Sequence, residues 1–411
     1  MVTEMTEDIV IVGAGIAGLA TAVGLHRVGL GCRVLERAQE LRTTGAALML
    51  FPNAWRALET LNVAHKLTPF YAPFKTASFT SLSARRTQKV PLLGITVSEK
   101  LGLRSVHRKA LLEALAEELP PSTIRLGSRL SSIEQSPGES LITLHLEDGT
   151  RVKTKVLIGC DGNRSLVAQW MGMSEPINSG RSAIRGLSVY PDGHDIDHEM
   201  VQFLGDGVRA GYIPINKKHV YWFVIRTAHP VDEEIWKSPK LIKQDVTDRV
   251  AKDWPKEYRE VVEHSDLDTL TQAPLFFRSP LSLLFGNLSR GSVTVAGDAL
   301  HPMTSDIGQG GCTALEDAVV LARNLSLALR KNGKIEFDHK AIEEGLRKYG
   351  NERRWRSAAL IAYAYLSGWV QSQPWRLVKM FRDKICYGLM FNRFVDLVDY
   401  NSGELPSFKL A

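Results

Sequence analysis

Asp8-Ile9-Val10-Ile11-Val12-Gly13-Ala14-Gly15-Ile16-Ala17-Gly18 decides how this chain is read. A short apolar strand runs into a G-x-G-x-x-G turn, and an apolar helix, Leu19–Val28, follows. Gly13 permits the tight turn out of the strand. Gly15 lets the backbone approach a pyrophosphate, and Gly18 lets helix and strand pack closely. The helix start offers unpaired N–H groups and the positive end of its dipole to phosphates. A second strand, Cys32–Leu35, ends in Glu36, eighteen residues after Gly18, where a ribose-binding carboxylate is expected. The spacing predicts a Rossmann-type βαβ unit that holds a dinucleotide through Gly13, Gly15, Ile16, Ala17, Gly18, Glu36 and the neighbouring Arg37.

A second fingerprint lies far down the chain at Val293–Asp317, VTVAGDALHPMTSDIGQGGCTALED. Asp298 follows a strand at the carboxyl edge of the sheet, where doubly wound folds bind ligands. Its carboxylate can accept from a ribityl hydroxyl. Gly308-Gln309-Gly310-Gly311 then opens a helix, so N–H groups are exposed on a surface free of side chains. That surface suits the pyrimidine end of an isoalloxazine. The helix dipole favours the negative charge of a reduced flavin by about 1 kcal/mol. Both fingerprints together point to FAD rather than NAD.

The chain has 411 residues, 44% hydrophobic and 23% charged, with a net charge of +6. That is room for two domains of a soluble enzyme. The basic residues are scattered, which argues against nucleic acid. Four cysteines, Cys32, Cys160, Cys312 and Cys386, are far apart. Their spacing excludes a zinc ribbon, a redox dithiol and the disulfide-reductase branch of FAD proteins, and no metal site is expected. Apolar runs are interrupted, so no membrane span is expected. The aromatic, apolar Ile385–Val398 reads as a packed helix rather than a membrane contact. A cytoplasmic protein, monomer or weak homodimer, is expected, with an organelle leader left open.

Alternating strands and helices flank a β-rich middle. Residues 1–74, 103–183 and 281–360 are assigned to a discontinuous FAD-binding domain. Residues 75–102 and 184–280 are assigned to an inserted mixed β-sheet substrate domain, and 361–411 to a C-terminal helical segment. A loop over Leu41–Pro52 and helices over Asn53–Leu61, Arg104–Leu119, Asp245–Lys252, Glu257–Glu263, Gly311–Lys331, Ile342–Tyr365 and from Trp375 onward are expected. Asp148-Gly149 marks a hairpin. Gly205–Gly211 (GDGVRAG) imitates a phosphate loop, but a strand follows it, so it reads as a hairpin bend. One dinucleotide turn remains.

These residues resemble the single-component (class A) FAD monooxygenases, the para-hydroxybenzoate and salicylate hydroxylases. The wording LRTTGAALMLFPNAWRALE at 41–59 and GDALHPMTSDIGQGGCTALEDAVVLARNL from Gly297 is similar to a plant branch related to zeaxanthin epoxidase. The resemblance covers most of the chain and is thin across 184–280. It implies cofactor contacts at Ala47, Arg108, Asp161, Asp298, Gly308, Gly310 and Gly311. Arg108 alternatively is a solvated helix-start arginine, and Asp161-Gly162 an ordinary strand exit. His301 is read as a structural lock on its loop. Ser305 stands where relatives usually carry proline beside the flavin. Arg185, Arg209, Tyr212 and Trp222 are candidates for the substrate wall, and Arg185, Arg209, Tyr212 and Ser305 for catalytic roles.

The resemblance further implies NADPH or NADH as co-substrate, O2, and hydroxylation of a small aromatic or phenolic substrate through a flavin C4a-hydroperoxide. A flavin epoxidase or oxidase on the same fold stays open, as does a FAD-binding carrier without turnover. A halogenase lacks its WxWxIP pattern here. No base announces itself.

Overall fold

A computed structural model describes residues 4–41, 47–92, 101–136, 139–205, 207–228, 235–236, 238–372 and 394–407. Cys386 and most of the helix expected from Trp375 lie outside the described residues; 394–398 are helical.

Two sheets organise the α/β chain. The first has eight strands. At its centre lies Glu4–Val12, whose second half, Ile9–Val12, is the continuous buried apolar run of a strand covered on both faces. It lies parallel to Arg33–Leu35 on one side and Arg151–Gly159 on the other, and Val293–Val295 extends the sheet in parallel. Val12, Leu35, Gly159 and Val295 share one carboxyl edge. Helix Ile16–Arg27 packs against helix Gly310–Leu329 so closely that a Cβ at Gly24 would lie 3.0 Å from Ala322 Cβ. The 34-residue helix His339–Ser372 packs outside Gly310–Leu329.

The second sheet has seven strands, in the order Thr271–Phe277, Ile177–Val189, His219–Thr227, Val208–Pro214, Met200–Leu204, Thr76–Ser81, Arg86–Pro91. Only the Met200–Leu204/Thr76–Ser81 pair is parallel. Alternation sorts its side chains. Ile184, Ala210, Tyr212, Trp222 and Val224 face a core closed by Ile242, Tyr258 and Val261. Arg185, Arg209, Ile213, Tyr221 and Phe223 face the opposite way.

Four expectations change. Arg104–His107 is a strand, and the helix runs only over Arg108–Ala116. The strand pairs antiparallel with Ala47–Leu50, inside the stretch read as a loop. Local helix propensity loses there to burial: Leu103 and Val106 are buried, and the Arg104 guanidinium donates to the Tyr71 and Gly102 carbonyls. Residues Val246–Val250 form a π turn after helix Pro239–Asp245, in place of an α-helix over Asp245–Lys252. Helix Gly310–Leu329 stops at a small hairpin, Arg330–Lys331 with Lys334–Ile335, around Asn332 and Gly333 at positive φ. The hairpin expected within Gly205–Gly211 is tight: Gly205 N–H donates to Val208 O, and Val208 already opens the strand Val208–Pro214.

Candidate active site

The first glycine turn closes as its spacing requires. Gly13 has φ +104°, its N–H donates to Leu35 O at 2.7 Å, and a Cβ there would lie 2.5 Å from Cys160 O. A Cβ at Gly18 would collide with Gly13 O. Gly15 differs, because a Cβ there would meet nothing within 4 Å. It borders open space at the start of helix Ile16–Arg27, which has no side-chain cap. Its first N–H groups are therefore free for a ligand. Glu36 is held in place: Oε2 accepts from Ala14 N–H at 2.8 Å and Oε1 from Ala38 N–H at 2.9 Å. Arg37 is exposed and does not line the cavity.

A cavity of about 700 Å3 opens from this turn and runs to the second sheet. Gly15, Ile16, Ala17, Ala47, Arg108, Asp298, Gly308, Gly310 and Gly311 line it on the first-sheet side. Asp298 is exposed to it, 3.8 Å from where a Gly310 Cβ would lie. Helix Gly310–Leu329 also starts without a side-chain cap. These residues fit FAD: two uncapped helix starts, an open glycine position, and a carboxylate at the strand end converge on one elongated space. Asp161 sits apart. Its Oδ2 accepts from Leu166 N–H at 2.8 Å, capping a short helix, and burial pushes its carboxyl up. Gly162, at φ +87°, lines the cavity instead.

Asp317 locks the second fingerprint. Its Oδ2 accepts from Gly297 N–H at 2.8 Å and contacts His301 Nε2 at 2.5 Å; Oδ1 accepts from Arg353 Nε at 2.7 Å. Glu316 accepts from Arg353 and Arg356, at 2.7 and 2.8 Å, and from Asn53 Nδ2 at 2.6 Å. Glu316, Asp317, Arg353, His301 and Asn53 are 0% exposed. Burial opposes both acids' charges, but Arg353 with Arg356 at Glu316, and His301 with Arg353 at Asp317, outweigh it and hold both carboxyls below the usual range. The sequence reading missed Asn53, Arg353 and Arg356, whose spacing carries no signal. His301 occupies the locking place expected of it.

On the second-sheet side, Ser305 opens a single 3-10 turn, Ser305–Ile307, and lines the cavity with a buried Oγ that has no hydrogen-bond partner. The turn is braced from across the cavity. Asp306 takes both Arg181 nitrogens, at 2.9 and 2.8 Å, and its backbone O accepts from Arg209 at 2.7 Å. Arg209 also donates to Gln371 Oε1 at 3.1 Å, from the long helix. A Cβ at Gly368 would strike the Arg181–Asp306 pair, so the helix passes directly over it. Arg209 is thus a strut between sheet, turn and helix.

Arg185 lines the cavity beside Tyr221 of the adjacent strand, a residue that no motif in the sequence marks. Tyr212 and Trp222 do not line it. They are paired across adjacent strands and face the helix-covered core, where Trp222 Nε1 donates to Ser265 Oγ at 2.8 Å. Alternation places Tyr212 opposite Arg209 and Ile213, which corrects its assignment to the substrate wall.

A family model described as FAD binding domain matches residues 6–364. Monooxygenase 2 of Arabidopsis thaliana is 43% identical over 412 residues, spanning 98% of this chain and the whole of the relative. Monooxygenase 1 of the same plant is 37% identical over 366 residues, spanning 88% and 89%. Klebsiella pneumoniae HpxO, solved in complex with FAD and uric acid, shares the fold with a TM-score of 0.80 at 22% identity over 97% of each chain. The chain belongs to the FAD-binding-domain family and is an FAD-dependent monooxygenase. No helix among the described residues is long and apolar enough to cross a membrane.

Proposed function

We propose that this family member uses NAD(P)H and O2 to hydroxylate an aromatic or phenolic molecule held between the second sheet and the Ser305–Gly311 segment. The observation that carries the reading is one continuous cavity. It joins the Gly15 turn, Asp298 and the Gly310-Gly311 helix start to a sheet face bearing Arg185, Arg209 and Tyr221. Its volume lies in the range of small-molecule sites.

Gly15, Ile16 and Ala17 would take the pyrophosphate on helix-start N–H groups, and Glu36 the ribose. Asp298 would take the ribityl chain, and the Gly310-Gly311 helix start the pyrimidine edge, flanked by Arg108 and Ala47. Bound FAD supplies the redox and oxygen chemistry, taking reducing equivalents from NAD(P)H. The chain's own task is to position the substrate and exclude water. Arg209 and Asp306 fix the turn that carries Ser305 against the substrate. Met303, Tyr363 and Phe394 form apolar walls that keep water out. Residues 1–74, 103–183 and 281–360 would form the FAD-binding part, 75–102 and 184–280 the substrate part, and 361–411 a C-terminal helical segment.

The test is NAD(P)H oxidation and O2 uptake by the yellow holoenzyme across a panel of phenols and aromatic acids, with products identified by mass. One oxygen atom from 18O2 in the product is expected. Bound FAD with no substrate-dependent NAD(P)H oxidation would leave a carrier; an epoxide product would leave the epoxidase.

A further inference from the structure

We infer that the cavity takes an elongated amphiphile, with an acidic head held by Arg185 and Tyr221 and an apolar tail lying toward Phe79 and Leu92. The inference rests on the hydroxylase reading for its chemistry, but its binding geometry comes from the second sheet alone.

The sheet face that lines the cavity is two-sided in polarity. Arg185 sits on the Ile177–Val189 strand, opposite Thr271 on the next strand, and both line the cavity. Tyr221 and Phe223 follow on the neighbouring strand, their rings stacked with centroids 6.2 Å apart. Across the sheet the lining becomes mainly apolar: Ile213, on the strand that also carries the engaged Arg209, then Met200 beside Gln202, then Phe79, and Leu92 beyond the last strand. Four strand-to-strand steps separate Arg185 from Phe79. At about 4.8 Å per step that is roughly 19 Å. One aromatic ring covers only part of that span. The remaining apolar stretch calls for a tail.

The charge inventory fixes the sign of the head. Asp298 and Asp306 are the carboxylates that line the cavity among the described residues. Asp298 lies at the dinucleotide end, and Asp306 is held by Arg181. Arg209 is engaged by the Asp306 carbonyl and Gln371. Arg185 has a neutral neighbour, the Tyr221 hydroxyl. Burial pushes the Tyr221 phenol up, with Arg185 working against it, so the hydroxyl keeps its proton. Both residues line the cavity, so a protonated hydroxyl beside the guanidinium can donate to a ligand there. A half-buried guanidinium facing a neutral phenol is balanced by an incoming oxyanion, carboxylate or phenolate, which both groups can hydrogen-bond.

The experiment titrates the oxidised holoenzyme with benzoate, 4-hexylbenzoate and 4-hexylbenzamide, followed by the absorbance change of bound FAD, and repeats it with 4-hexylphenol below and above its pKa. Each buried methylene is worth up to about four-fold in affinity; about half that free energy, two-fold each, makes 4-hexylbenzoate roughly 60-fold tighter than benzoate. The amide should bind at least about ten-fold more weakly than the acid. The phenol series assigns the head: tighter binding above its pKa marks phenolate as accepted alongside carboxylate. Arg185→Gln should bring the acid/amide ratio near one while FAD content stays unchanged. Met200→Glu should erase the hexyl advantage and leave benzoate binding in place. The wild-type series is decisive by itself, so a variant that fails to fold does not shield the inference. Equal affinity for acid and amide, no gain from the hexyl chain, or no response to any probe at 1 mM overturns it. The hydroxylase reading fails separately, if these probes bind as expected yet no compound elicits NAD(P)H oxidation.

Discussion

Replacing Arg353 with Met removes one guanidinium from the buried cluster under the second fingerprint and keeps most of its volume. Arg353 is wholly buried and makes two charge-assisted bonds of 2.7 Å, to Asp317 and Glu316. Without it, Glu316 keeps Arg356 and Asn53, but Asp317 keeps only His301 and the Gly297 N–H. Breaking a buried pair by removing one partner costs about 3–5 kcal/mol. Unfolding entropy of ~2.1 cal/mol/K per residue gives roughly 0.9 kcal/mol/K for a chain of this size, so Tm should fall by roughly 3–6 °C at pH 8. The pH sign follows from the acids. Glu316 and Asp317 have lowered folded pKa values in the native protein, so their contribution is present above the unfolded carboxylate range and is lost only as pH falls below it. In Arg353→Met burial prevails at Asp317, which takes up a proton as pH falls, so the gap to wild type should narrow from pH 8 to pH 5. Thermal unfolding by circular dichroism, with FAD release followed by fluorescence, measures both. A Tm change under 1 °C at pH 8, or a gap that widens toward pH 5, refutes the reasoning.

Three further outcomes are expected. Gly15→Val should give folded, colourless protein, because its side chain fills the space left open at the turn; circular dichroism and the A280/A450 ratio decide, and full FAD occupancy contradicts the assignment. Ser305→Pro should retain FAD, remove a buried, unpartnered hydroxyl at the cavity wall, and change product formed per NAD(P)H by roughly two- to twelve-fold, the worth of one hydrogen bond; unchanged coupling makes Ser305 a permissive loop position. Tyr212→Phe should leave kcat within about two-fold, because its hydroxyl lies on the far face of the sheet, and a large loss of kcat would return Tyr212 to the substrate wall.

The two glycine turns were legible because their geometry is local. Gly13, Gly15, Gly18, Gly310 and Gly311 set the backbone within two short stretches, where each geometry follows from a missing Cβ, and Asp298 follows a strand end. The supporting cluster was not legible. Asn53 lies 263 residues before Glu316, and Arg353 lies 37 residues after it on another helix, so only tertiary packing brings them together. The Arg104–His107 strand was hidden for a related reason. Its partner, Ala47–Leu50, is remote in sequence, so the decisive hydrogen bonds are absent from any local window.

The four substrate-wall candidates divide, Arg185 and Arg209 lining the cavity and Tyr212 and Trp222 facing away, and parity could have settled part of that division. Residues 209 and 212 are three apart on one strand, so they cannot face the same side. At most one of Arg209 and Tyr212 could border a cavity. The apolar partners decide which. Tyr212 shares its phase with Ala210, and across the strand pair with Trp222, Val220 and Val224, an uninterrupted buried set. Arg209 shares its phase with Ile213 and, across the pair, with Tyr221 and Ile225. The side carrying a buried arginine beside a tyrosine is the one that needs a polar ligand, because a guanidinium is seldom turned into a closed apolar core. Sheet order supplies what parity cannot. The Ile177–Val189 strand stands between Thr271–Phe277 and His219–Thr227, which puts Arg185 beside Tyr221. The Thr76–Ser81 strand joins the far side from a segment more than a hundred residues earlier, which puts Phe79 at the other end. The polarity gradient across the cavity is therefore a property of strand order and appears in no single stretch of sequence.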